Sequence, residues 1–209
     1  LYFSGGRYIS YPKYRYTFSK ETDNVCTQDY SKAVEWYKKA ALNGDISSCF
    51  ELAFMYDAGK GIAENPSEAL VWYLKAVEEE PYHTNDTYMQ NLARFNLGCM
   101  YYNGRGVEKD LIQAHAWMSL SYDNGREKSK NSIKVVEEEL STEEVHDAEF
   151  LTAQMHARGE GTPKHISGAY VTYWLLANKR GYSKAEKALT EITDNMSNTQ
   201  LAEALYTLA

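Results

Sequence analysis

Three loops of one kind, Gly59-Lys60-Gly61, Gly104-Arg105-Gly106 and Gly159-Glu160-Gly161, punctuate the chain, each between stretches of helical spacing. One glycine loop ahead of a helix can cradle a phosphate. Three in the same sequence context read instead as the turn of a repeated unit. Ala33, Trp36, Tyr37 and Ala40 recur 36 residues on as Ala69, Trp72, Tyr73 and Ala76. A shift of 45 carries Gly59, Gly61, Ala69 and Trp72 to Gly104, Gly106, Ala114 and Trp117, and a further 55 carries Gly104, Gly106 and Ala114 to Gly159, Gly161 and Ala169. A chain of such units buries each one against its neighbours rather than around one central core.

Within a unit the apolar residues at i, i+3, i+4 and i+7 mark one stripe of a helix, as at 33, 36, 37 and 40. A second helical stretch precedes each glycine loop: SCFELAFMYDAG, ARFNLGCMYYNG and AEFLTAQMHARG. Each unit is therefore helix A, a glycine turn and helix B. A dinucleotide fingerprint needs a strand before the loop and a third glycine, and a Walker-type loop needs Gly-Lys-Ser/Thr. Neither is present, so Gly59, Gly61, Gly104, Gly106, Gly159 and Gly161 are structural turn residues that supply positive φ, and no nucleotide or other cofactor is implied. The Trp36–Tyr37 and Trp72–Tyr73 pairs, held in register, are expected to pack between helices. The polar run EEEPYHTND (78–86) reads as a longer loop. Residues 124–153 match 180–209 at an offset of 56, and Ser141-x-x-Glu144 and Ser197-x-x-Gln200 are capping-box signatures that each open a helix.

Leu97, Gly98, Tyr101, Gly104, Gly106 and Val107, followed by Ala114 and Trp117, resemble the Sel1-like repeat, a relative of the tetratricopeptide repeat; residues 29–45 are similar to that family's helix B. The resemblance implies an all-α fold, a right-handed α-solenoid of stacked antiparallel helix pairs. Residues 1–6, LYFSGG, read as a tag remnant and 7–29 as a degenerate N-terminal capping helix. The array then runs over 30–209: helix B of unit one at 30–44, repeats near 46–80, 88–124 and 141–181, and capping helices at 182–209. Departures from the family pattern are the long spacings, Thr162-Pro163, and His156 in place of the repeat tyrosine.

Phe50, Phe95 and Phe150 share one register on helix A, on the side away from the Leu/Tyr stripe. Together with Phe54, Cys99, Tyr102 and Gln154 they either pack against the preceding unit's helix B or line the concave wall of the superhelix. Phe54, Tyr102 and Gln154 are the members expected at the surface. At the start, RYISYPKYRYTF (7–18) interleaves Arg7, Lys13 and Arg15 with five aromatic residues, a pattern that can bind nucleic acid or an acidic partner strand; given the acidic whole, the preferred reading is a terminal helix laying tyrosines on the first repeat with its charges outward.

Catalytic constellations are thin. The five histidines show no metal-ligand spacing, the runs Glu78–Glu80 and Glu137–Glu139 read as solvated faces, and neither a serine elbow nor a Cys-x-x-Cys pair occurs. Three cysteines give no disulfide framework. The net charge of −7 argues against nucleic acid and makes basic the expected sign of a charged partner. No apolar run reaches the ~18 residues of a membrane span. The residues and the resemblance together imply a non-enzymatic adaptor or scaffold binding a protein partner on the concave face. A bacterial immunity protein, neutralising a secreted toxic effector, is the narrower alternative that the family allows. A cell-wall hydrolase is the third, suggested by cysteine-rich relatives whose paired cysteines this chain lacks. The expected compartment is cytoplasm or periplasm.

Overall fold

The structure, a computed structural model, describes residues 30–82 and 84–209. The expectation for 7–29 lies outside the described residues, as do Cys26 and His83. Ten helices are described and no strand among them: α1 (Tyr30–Leu42), α2 (Ile46–Ala58), α3 (Pro66–Glu78), α4 (Thr84–Asn103), α5 (Leu111–Asp123), α6 (Ser129–Glu137), α7 (Thr142–Arg158), α8 (Ile166–Arg180), α9 (Ser183–Thr193) and α10 (Asn198–Leu208). Antiparallel pairs α2–α3, α4–α5 and α7–α8 form three repeat units, stacked as a solenoid in which α3 packs on α4 and α5 on α7. α1 precedes them as an isolated helix B against α2, and α9 and α10 close the array on α8.

The turns are built alike. Gly59, Gly104 and Gly159 end their helix A at φ of 64°, 64° and 77°. The next N–H then reaches back to the carbonyl of Met55, Met100 or Met155 at 2.9, 2.9 and 3.0 Å, which satisfies a helix-end acceptor. Each loop closes with one more backbone bond: Asn65 to the Tyr56 carbonyl, Asp110 to Tyr101 and His165 to His156, at 2.9, 3.0 and 2.9 Å. Asn65 and Asp110 then cap helix B by accepting from the N–H groups of Glu68 and Gln113. The second glycines, Gly61 and Gly106, do a different job. A Cβ on either would stand 2.4–2.5 Å from the backbone of Tyr30 or Pro66, the start of the preceding helix B, so they are where units nest. In the third unit the neighbour of Gly161 is the Trp117 ring instead, because that unit seats against the side of α5.

Three expectations change. α4 begins at Thr84, inside the stretch read as loop, with Asp86 accepting from the Tyr82 N–H at 3.0 Å at its start. Trp36 is 68% exposed, whereas Trp72 and Trp117 are 8% and 6% exposed. The reason is positional: α3 packs extensively on both α2 and α4, whereas among the described helices the extensive packing of α1 is on α2. The third change is the extra helix α6 between units two and three, which accounts for the 55-residue spacing. Both capping boxes form, at Ser141/Glu144 and Ser197/Gln200, and open α7 and α10.

A buried polar network ties unit three to unit two. Arg94 on α4 is 1% exposed; its Nε donates to the Gly161 carbonyl at 2.6 Å and its Nη1 to Asn91 Oδ1 at 2.5 Å. Burial pushes its guanidinium down to about 10. Asn124 donates to Thr162 at 3.2 Å and Ser121 to the Asn91 carbonyl at 2.8 Å. The Thr162 that departs from the family pattern thus serves as an acceptor in this joint.

Candidate interaction wall of the helix A row

The helix A positions singled out in the sequence line a groove between the two helices of each pair. In unit two, Phe95, Cys99 and Tyr102 of α4 meet Ala114 and Met118 of α5, and α6 lies across them through Val136, with Ile133 and Leu140 alongside. In unit three, Phe150, Ala153 and Ala157 of α7 meet Ala169 and Tyr173 of α8, and α9 lies across them through Ala188, Leu189 and Ile192. Phe150 meets Tyr173 and Tyr182 with the rings tilted by 47° and 59° and centroids 5.3 and 5.7 Å apart. These third helices occupy the wall that the sequence left open to a ligand.

Each candidate residue can now be placed. Phe50 and Phe95 are buried, the first against Tyr73 at 5.5 Å and the second beneath the Arg126 guanidinium at 4.7 Å. Tyr102 is 2% exposed, which corrects the expectation that it stands at the surface. Its hydroxyl donates to Glu139, and Lys109 sits 5.2 Å over its ring and 3.1 Å from Glu139. Phe54 and Gln154 are half-buried. Phe54 carries the Lys60 ammonium 5.2 Å over its ring, and Gln154 opens onto a cleft of about 500 Å³ shared with Arg158, Tyr173 and Ile192. In the register shared by Phe54, Cys99 and Gln154, only Cys99 is sealed completely. Burial pushes its thiol up to about 12, and that of Cys49 to about 11; both are free thiols.

The acidic run Glu137–Glu139 is not merely a solvated face. Glu137 lies 3.2 Å from His115 Nε2, and Ser119 Oγ lies 3.3 Å from His115 Nδ1. Serine, histidine and carboxylate in that order suggest nucleophilic catalysis, but a general base must reach a substrate, and His115 is 3% exposed in the α5–α6 seam. The arrangement staples α6 onto α5. Among the described residues, no group of three or more His, Cys, Asp or Glu side chains is placed to hold a metal ion, and no helix is long and apolar enough to cross a membrane.

The Sel1 repeat model matches residues 21–45, 46–80, 91–125 and 146–169. The chain is 31% identical over 160 residues to the exopolysaccharide production negative regulator of Rhizobium meliloti, covering 74% of this chain and 52% of that protein. It is 27% identical over 115 residues to the chitin synthase regulator SKT5 of Malassezia restricta, covering 53% of this chain and 7% of that protein. It thus spans about half the length of the first relative and a small part of the second. Among solved structures, a protective antigen of uropathogenic Escherichia coli with an SLR fold is 25% identical, with a TM-score of 0.49, covering 86% of this chain and 40% of that one. Four matched repeats over more than half the sequence, three of them carrying the same glycine turn, show that this chain belongs to the Sel1 repeat family.

Proposed function

We propose that this chain is a non-enzymatic adaptor that binds a protein partner on the helix A wall of unit one and in the Gln154 cleft of unit three. The coarser part rests on the family: Sel1 repeats point to protein interaction, and the relatives named above are regulators. The finer part rests on one observation. Phe54 is a half-buried aromatic at a register where its counterpart Cys99 is fully covered by α6. Large aromatics left partly open on a repeat surface are the anchors that interfaces use. A net charge of −7 favours a basic partner.

Affinity capture with wild type beside Phe54→Asp and Gln154→Ala tests this, with circular dichroism checking that each variant stays helical. A captured protein counts only if it binds the purified chain directly and its Kd weakens about tenfold or more in a folded variant, which is ~1.4 kcal/mol. Equal binding by all three proteins removes this wall from consideration.

A further inference from the structure

The packing of α6 on α5 and of α8 on α7 leaves a groove of about 440 Å³ at the joint between units two and three. His115, Thr152 and Leu176 are buried in its floor, and α6 and α8 flank it. One stripe of α6 faces the groove: Lys130, Ile133, Lys134 and Glu137, at i, i+3, i+4 and i+7. On the α8 side, Leu175 is 38% exposed. We infer that this groove docks an extended acidic segment of a partner protein, with its carboxylates on Lys130 and Lys134 and an apolar side chain between them on Leu175. This surface is separate from the helix A wall and takes the opposite charge.

The sign follows from which charges are already engaged. Each carboxylate lining the groove has a partner: Asp123 lies 3.2 Å from His156, Glu137 lies 3.2 Å from His115, and Glu149 accepts from Arg180. The two lysines have no such partner. Lys134 makes no ion pair with a described residue, and the contact of Lys130 is with the Tyr122 ring, 5.9 Å away, which leaves its N–H donors to water. Their positions also set a spacing. Side chains at i and i+4 of a helix stand about 6 Å apart, close to the ~7 Å between same-face side chains at i and i+2 of an extended chain. The residue between those two faces the other way, towards α8. The groove therefore suits carboxylate, apolar residue, carboxylate in that order.

The lysines are not demanded by the packing of a third helix. At the offset of 56 that relates α6 to α9, Ile133 corresponds to Leu189, which packs in the unit-three core. Lys130 and Lys134 correspond to Glu186 and Thr190. The apolar position is kept and the two lysine positions differ, so positive charge at 130 and 134 belongs to this groove and not to the role that the helices share. Like charges at i and i+4 destabilise a helix. On a chain of net charge −7 this pair sits without a carboxylate, and a bound acidic segment would supply one to each lysine.

Fluorescence anisotropy on the purified 209-residue chain tests this, with a labelled synthetic peptide of alternating glutamate and leucine as the probe. The test uses no lysate and no residue of the helix A wall, so its outcome is separate from that of the proposed function. The expected result is saturable binding that weakens about tenfold or more in Lys130→Glu/Lys134→Glu and falls with added salt. Leu175→Ser should weaken it about threefold or more. All three side chains are exposed, so the variants should keep the wild-type circular dichroism. Absence of saturable binding by wild type overturns the inference, as does equal affinity in the folded lysine variant. Binding that falls with the lysine variant but not with Leu175→Ser would mark a bare charge patch and overturns the groove. A single-stranded oligonucleotide that binds the same lysines more tightly than the peptide would assign the site to nucleic acid and overturns it too.

Discussion

At Gly106 a side chain would be both strained and obstructed, since φ is +74° and a Cβ would lie 2.5 Å from the Pro66 carbonyl carbon. At Gly104 the backbone is also left-handed, but a Cβ would meet only the Lys109 side chain and backbone at 3.4 Å. Gly104→Ala should therefore cost about 1–2 kcal/mol and Gly106→Ala more, about 3 kcal/mol or above, in urea unfolding, because the latter also separates two units. Sequence spacing identifies both as turn glycines but not the difference between them, which depends on the preceding unit's backbone. A pH effect belongs to this scale as well. Asp147 accepts from Lys184 at 2.6 Å and from the Tyr182 hydroxyl, and these bonds hold its carboxyl below the ordinary value of 3.8. A carboxylate depressed in the folded state stabilises above its unfolded pKa, and that contribution is lost as pH falls through the folded value. Asp147→Asn should thus lower Tm at pH 7, and the gap to wild type should close as melts are repeated towards acid.

The helix pairs are legible in the sequence because their stripes repeat at a fixed spacing; the third helices are not. α6 and α9 are short, polar on most faces and rich in lysine, so only the match between 124–153 and 180–209 hints that they are equivalent. Their effect is large: α6 covers the unit-two wall, and Tyr102, which the sequence places at the surface, becomes a hydrogen-bonded core residue. Val136 is fully buried in this seam. Val136→Ala should cost about 1–3 kcal/mol and loosen α6 locally. Maleimide labelling reads this directly, because Cys99 lies under α6 and Cys49 does not: Cys99 should label sooner than Cys49 in the variant, whereas both resist in wild type. Labelling of the two at equal rates would mean that the substitution acts on the whole array. The capping boxes differ in the same way. Ser141→Ala should cost about 1 kcal/mol in the middle of the array, and Ser197→Ala should fray α10 alone, as hydrogen exchange would show.

Across the whole molecule, stability is a chain of neighbour interfaces, and the joint between units two and three is the least regular of them. Arg94 spans it from a fully buried position, bonded to Gly161 and Asn91. Arg94→Ala should leave the Gly161 carbonyl without this donor and cost about 2–4 kcal/mol, with α7–α8 losing exchange protection before α2–α3. The sequence by itself determines the repeat, its turns, its helix pairs and the register of the aromatic residues, because these depend on spacing along one chain and on the local conformational freedom of glycine. The tertiary structure alone decides which members of a register are covered. Phe54, Cys99 and Gln154 share one position in the pattern, yet Cys99 is sealed and the other two are half open, because α6 closes over Cys99 whereas α9 leaves a cleft beside Gln154.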